Sequence, residues 1–219
     1  MSDPADVWAI IPVKETQDAK QRLAPVLSAA LRQELALAML EDVLEAVTAA
    51  GLGGVILVTI DPHAIALARR YGAETIADGA RNGHTGAVQA GARHLIAQGR
   101  STMLTVPGDL PLITAAEIER VIGAHGPAPA FTIVPAHDEQ GSNAILMSPP
   151  DAVPLRFGED SYFPHLAASR ACGIEPCIVR LPGIAFDIDN PKDLHHFAQL
   201  KSRTRAGKFL AEIANERFG

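Results

Sequence analysis

Six charged residues stand at positions where an α/β chain could do chemistry on phosphates. Asp109 lies in "TVPGDLPLI" (105–113), a lone carboxylate after an apolar run and between two prolines. It is badly placed as a helix cap, because Thr114, with Glu117 three residues on, forms a capping box for the next helix. It can make a turn, or it can hold a metal, since magnesium takes one or two carboxylates and completes its shell with substrate phosphates. Asp187 and Asp189 in "FDIDNPKDL" are two apart in an extended segment and so face the same way. Carboxylates on one face repel unless a cation sits between them. Asn190, Pro191 and Asp193 already serve a helix start as N-cap, N1 and N3, which leaves the two aspartates to be explained. Lys14, Lys20 and Arg22 in "PVKETQDAKQRL" follow the first apolar run, where they meet either phosphates or only solvent.

Weaker signals surround them. Gly141-Ser142-Asn143, and later Gly158 with Ser161, can offer backbone N–H and hydroxyl donors to a small phosphate or carboxylate, although Gly-Ser is also ordinary loop chemistry. "NGHTGAVQAG" starts a helix with Gly83 and Gly86, which suits either an anion or base at the helix N-terminus or close packing on a sheet. The histidines form no constellation. His195 and His196 are adjacent on a helix and point apart, while His165 stands near the loop of Gly158 and Ser161. Neither GxxxxGK[ST] nor a GxGxxG after a strand occurs.

The elements that must position these residues alternate. Strands are expected at 7–13, 55–60, 73–77 and 102–106. Leu31, Leu35, Met39, Val43 and Val47 recur every four residues, a long helix that Gly51 and Gly53 stop. Further helices are expected at 62–72, 83–98, 114–126, 162–171 and from Pro191. Segments 130–136 and 143–149, joined by a short polar loop, read as a hairpin, and 175–181 as a last strand. Such alternation means an α/β protein with a mostly parallel, mixed sheet and helices on both faces. Ligands of such sheets bind beyond the carboxyl ends of the strands. The suspect loops, after Val13, Val106, Met147 and Phe186, all lie there. No repeat or linker divides the chain, so one domain is expected over 1–219. An amphipathic helix at 205–216 is appended, docked on its own domain or pairing two copies as a homodimer.

Composition bounds the partners. A chain of 219 residues that is 47% hydrophobic can build a sizeable core. A net charge of −6 gives no global footprint for nucleic acid. No apolar run approaches the roughly 18 residues of a membrane span. The start "MSDPADVWAIIPVK" is acidic before its apolar run, the wrong sign for a signal peptide. Cys172 and Cys177 make neither a zinc pattern nor a disulfide framework, so reduced thiols in the cytoplasm are expected.

In their order and spacing, "IIPVK", "AKQRLAPVLS", "RQELALAMLEDVLEAV", "PGDLPL", "DEQGSNAIL", "RFGEDSYFPH" and "FDIDNPKDL" resemble the guanylyltransferases of deazaflavin coenzyme (F-420) biosynthesis over about residues 7–200. The resemblance implies a glycosyltransferase-A-like, Rossmann-like nucleotidyltransferase fold, a magnesium ion and GTP as donor. The implied acceptor is a phosphorylated three-carbon acid: phosphoenolpyruvate, 2-phospho-L-lactate or 3-phospho-D-glycerate. It implies metal binding by Asp109, Asp187 and Asp189, and catalytic roles for Lys14, Lys20, Arg22 and Asp109. Nucleotide contacts are implied at Pro12, Val13, Lys14, Gly83, Thr85 and Pro107, and acceptor contacts at Ser142, Gly158 and Ser161. The chain departs from the family in having Gly83-His84-Thr85 for the usual Gly-Leu-Asn, and Ser142 for threonine. Nucleotidyltransferases for molybdopterin or sugar phosphates usually carry G-x-x-R-x-G after the first strand, and "PVKETQDAKQRL" has no glycine. A non-catalytic nucleotide-binding protein would not need the paired acids, and a dinucleotide-dependent oxidoreductase would need the missing GxGxxG.

Overall fold

The structure is a computed structural model that describes residues 3–158 and 160–218, with side chains to residue 214. Met1, Ser2, Glu159 and Gly219, which the expected single domain over 1–219 includes, lie outside the described residues. The chain runs β1 (Val7–Pro12), α1 (Ala29–Ala49), β2 (Gly54–Val58), α2 (Pro62–Arg70), β3 (Glu74–Ile76), α3 (Gly83–Ala97), β4 (Thr102–Thr105) and α4 (Ala115–Ala124). It continues through β5 (Ala130–Pro135), β6 (Ser142–Ser148), α5 (Tyr162–Ala171), β7 (Cys177–Ile178), α6 (Pro182–Ala185), α7 (Pro191–Gln199) and α8 (Arg205–Phe218).

The seven strands form one sheet in the order β3-β2-β1-β4-β6-β5-β7. Strands β1 to β4 are mutually parallel, and β6 runs antiparallel to both β4 and β5. The expected hairpin at 130–149 is therefore present. The expected strand at 175–181 shrinks to Cys177–Ile178, paired only with Thr132 and Ile133 of β5 before Pro182 opens α6. Strand order reverses at β1, whose neighbours are β2 and β4, so a crevice opens between the carboxyl ends of β1 and β4.

Alternation along each strand sends residues to two cores. Ala9, Ile11, Val55, Leu57 and Leu104 pack with α1, α2 and α4 on one face. Ile10, Ile56, Val58, Met103 and Ile145 pack with α3 and α5 on the other. Gly91 lets α3 approach β1, since a Cβ there would lie 2.7 Å from the Ile10 side chain. A third cluster joins Leu23 and Leu27 of the first loop to Leu35 and Met39 of α1, Phe186, Ile188 and Phe197. It anchors the two segments that carry Lys20 and Asp189. Helix α8 docks on α1. The buried Asp42 carboxylate accepts from the Arg205 and Ala206 N–H groups at 2.7 and 3.0 Å, so one helix caps another.

Candidate active site

The loop after β1 is folded into short 3-10 turns at Thr16–Asp18 and Gln21–Leu23. Three anchors shape it, two of them, Asp61 and Arg32, buried. Asp61, which caps α2 by accepting from the His63 and Ala64 N–H groups, also accepts from the Thr16 N–H and hydroxyl at 2.7 and 2.8 Å. Arg32 donates to the Ala19 and Leu27 carbonyls, and Gln33 donates to the Thr16 hydroxyl. Held this way, Lys20 adopts a left-handed backbone (φ 51°, ψ 45°), a conformation that costs a non-glycine residue about 1–2 kcal/mol.

That conformation places the Lys20 ammonium between two acids. Nζ donates to Asp109 Oδ2 at 2.6 Å and to Asp189 Oδ1 at 2.8 Å. Arg22 Nη1 lies 3.9 Å from Asp189 Oδ2. Burial alone would lower the Lys20 pKa, but the two carboxylates more than reverse this and hold the ammonium charged above the usual lysine range. Burial would raise the Asp189 pKa, and Lys20 and Arg22 lower it instead. Among the described residues Asp187 forms no ion pair with a lysine or arginine, and the His137 Nδ1 lies 3.8 Å from its Oδ1. The Asp187 pKa is pushed up to about 6 by burial and by the charges of Asp109 and Asp189. Asn143 Nδ2 donates to Asp187 Oδ1 at 3.3 Å and to the Ile184 carbonyl at 3.0 Å, which fixes this carboxylate.

The three aspartates expected to share a metal are thus together, but with an ammonium among them. Among the described residues no set of three carboxylate, imidazole or thiolate groups is arranged to hold a metal ion. Magnesium needs only one or two carboxylates when phosphates are present. Asp187, repelled by its neighbours, and the second oxygen of Asp109 suit that smaller demand. Asp189 is engaged by Lys20 and Arg22.

Phosphate- and acid-binding candidates line the same crevice. Pro12 ends β1, and the Val13 N–H donates to the Val58 carbonyl, extending the pairing up to the exposed Lys14. Pro107 follows β4. Gly83 is the first residue of α3 and Ser161 immediately precedes α5, and neither helix has a side-chain cap. Their first N–H groups are the positive ends of the helix dipoles. The Thr85 hydroxyl is engaged within the protein, at the Phe157 backbone. Oγ1 accepts from the Phe157 N–H at 2.9 Å and pins the 156–158 loop. The Phe157 ring lies between His84, with centroids 4.4 Å apart, and His165, at 5.0 Å. Gly158, at φ 150°, turns the chain where a side chain would strain. Ser142 and Ser161 meet at 3.5 Å between their oxygens.

His165 was only placed near this loop by the sequence. It is 1% exposed and contacts Ser142. Asn143, Asp61 and Thr16 also escaped notice as supports, since their partners lie 41 to 45 residues away in the chain.

Comparisons with known proteins point one way. A family model described as "Guanylyl transferase CofC like" matches residues 7–216. A phosphoenolpyruvate guanylyltransferase of Rubrobacter xylanophilus is 37% identical over 188 residues, covering 86% of this chain and 91% of that protein. A 3-phospho-D-glycerate guanylyltransferase of Colwellia psychrerythraea is 33% identical, covering 88% and 91%. Among solved structures, a putative nucleotide-diphospho-sugar transferase from Desulfovibrio desulfuricans superposes with a TM-score of 0.75 at 17% identity, covering 94% of each chain. A 4-diphosphocytidyl-2C-methyl-D-erythritol synthase from Anaerococcus prevotii gives 0.59 at 14%, covering 89% and 97%. These structures share the nucleotidyltransferase fold with this chain.

Proposed function

The chain belongs to the CofC-like guanylyl transferase family, and on that premise we propose that it transfers GMP from GTP to the phosphate of a phosphorylated three-carbon acid. The observation that carries the reading is the cluster of Lys20, Asp109, Asp187 and Asp189 at the carboxyl ends of β1 and β4, beside the Ser142–Ser161 hydroxyl pair. The printed names of the relatives, phosphoenolpyruvate and 3-phospho-D-glycerate guanylyltransferases, favour acids of this size. The deazaflavin coenzyme pathway is part of the proposal, drawn from the resemblance.

A phosphate monoester has lost most of its second proton at neutral pH, with a pKa of about 6, so its oxygen attacks the α-phosphorus of GTP without a strong base. The new P–O bond forms as the bond to the β-phosphate oxygen breaks, and pyrophosphate leaves with that electron pair. The histidines fit this role division. His84 and His165 are pushed down to about 4 by burial, too low to act as bases at neutral pH. Lys14, Lys20 and Arg22 supply the positive charge that meets the triphosphate and the leaving pyrophosphate. Asp109 and Asp187 would hold a magnesium ion, which neutralises phosphate charge and so offsets the repulsion between two anionic reactants. The uncapped N-terminus of α3 at Gly83 offers further donors, whereas the first N–H of α5, on Tyr162, is taken by the Gln140 carbonyl.

The test is a panel. The protein is incubated with GTP, magnesium and, separately, phosphoenolpyruvate, 2-phospho-L-lactate or 3-phospho-D-glycerate, with pyrophosphate release and the mass of the guanylylated acid measured. One acid should give both products in equal amounts. Unconsumed GTP beside every acid would sink the reading.

A further inference from the structure

The acceptor site proposed above includes two buried serine hydroxyls, and a buried imidazole decides which way their protons point. The Arg156 backbone N–H donates to His165 Nε2 at 3.1 Å. A nitrogen that accepts a hydrogen bond carries no proton, so in the neutral ring the proton is on Nδ1. Nδ1 lies 2.9 Å from Ser142 Oγ and therefore donates to it. Ser142 and Ser161 then share one contact of 3.5 Å between two hydroxyls. That contact uses one of their two protons, and no protein acceptor for the other is found among the described residues. Ser161 is not diverted to capping α5, since its side chain makes no cap bond.

We propose that His165 is a positioning residue: fixed in the Nδ1–H tautomer by the Arg156 N–H, it makes the Ser142–Ser161 pair a net hydrogen-bond donor to the anionic group of the acceptor. This rests on the acceptor pocket proposed above. The opposite tautomer would take the Ser142 proton and present oxygen lone pairs to an anion. Burial that keeps the ring neutral supports the arrangement, because a doubly protonated ring would clash with the Arg156 N–H. Thr85, by holding the Phe157 N–H, and Phe157, edge-on to the imidazole at 5.0 Å, keep the Arg156 donor in place.

The two amide replacements separate the two ring nitrogens. Glutamine can place its carbonyl near the Nε2 position and satisfy Arg156, but it offers Ser142 no donor. Asparagine can keep a donor near the Nδ1 position. Steady-state kinetics with phosphoenolpyruvate and GTP as probes should show His165→Gln raising KM for phosphoenolpyruvate by about tenfold, the worth of one hydrogen bond to a charged group. KM for GTP should stay within about twofold, and His165→Asn should stay within about threefold of wild type on both, given the retained donor. In a Ser142→Ala background, His165→Gln should add nothing, because the residue it acts through is gone. An undiminished effect in that background overturns the proposal, as does an equal rise in both KM values. A His165→Asn variant as impaired as His165→Gln overturns it too. Should His165→Gln not fold, the His165→Asn variant in both backgrounds decides by the same rule, a loss beyond tenfold in KM for phosphoenolpyruvate counting against it. Wild-type protein that turns over none of the three acids fails the function itself, a result distinct from a wild type that works and a His165 that acts independently of Ser142.

Discussion

Lys20 holds a left-handed backbone that a lysine does not adopt by preference. What offsets the strain is a pair of charge-assisted hydrogen bonds at 2.6 and 2.8 Å. Strain held in place by its surroundings gathers at functional positions, and two substitutions separate strain from charge here. Lys20→Ala deletes the ammonium and keeps the unfavourable φ. Lys20→Gly deletes the ammonium and relieves φ. Both should lower kcat/KM by about 10²-fold or more, as for a removed charge stabiliser. The glycine variant should be the more stable of the two by about 1 kcal/mol. Asp109→Asn should show the same catalytic loss with little change in melting temperature. Near wild-type turnover in either Lys20 variant would take the ammonium out of the mechanism. At this scale the acids were legible, because Asp109 follows β4 and none of the three is needed as a helix cap. Their partner was not, because Lys20 meets Asp109 across 89 residues and Asp189 across 169, and neither separation leaves a local pattern.

Helix starts double as loop anchors. Asp61 caps α2 and also holds the first loop, and Glu117 reads in the sequence as the far half of a capping box. Thr114 does cap α4 by accepting from the Glu117 N–H, but the Glu117 carboxylate turns away and accepts from the Gly183 and Ile184 N–H groups, both at 2.9 Å. It thereby fixes the start of the segment leading to Asp187. The physical reason is that a buried, otherwise unpaired backbone N–H makes a stronger claim on a carboxylate than an N-cap N–H that water can reach. The capping box appears at Asn190 and Asp193 instead, as the sequence indicated. Asp61→Ala removes acceptors from two α2 N–H groups and from Thr16 together. It should destabilise the fold by about 2–4 kcal/mol. Because the freed loop carries Lys14 and Lys20, KM for GTP should rise severalfold even at temperatures where the variant stays folded. An unchanged KM at full folding would show that Asp61 serves α2 alone. The short α6 and the trimmed β7 were illegible for a related reason: tertiary hydrogen bonds, not propensity, set their ends.

Across the whole molecule, alternation of apolar runs made the parallel sheet and the hairpin readable, while strand order depended on non-local pairing and was not. The cap of α8 belongs with the latter, since it comes from Asp42 on a helix 163 residues earlier, although the helix itself was expected. The same burial that builds both cores sets the acid response of the fold. His125, between Thr132 and Ser148 at 2.9 and 2.8 Å, and His165 both have pKa values pushed down to about 4 by burial. In the unfolded chain a histidine titrates near 6.5. Between those values the unfolded state binds protons that the folded state refuses, so stability is complete above about 6.5 and falls as pH drops towards 4. Each ring contributes on the order of 2–3 kcal/mol to that loss. Asp187 works the other way, since its raised pKa favours the folded state as pH falls below about 6. His84 is shifted the same way, so three histidines stand against the raised carboxyls of Asp187 and Asp42, and the net loss remains. Urea unfolding midpoints measured from pH 7.5 to 4.5 should fall steadily below about 6.5. His125→Gln should start from a lower midpoint, having lost hydrogen bonds, yet decline less steeply, having lost one titrating ring. A midpoint that stays flat to pH 4.5 in the wild type would mean that these imidazoles take up protons in the folded state as readily as in water. That would contradict their place between the sheet and its helices.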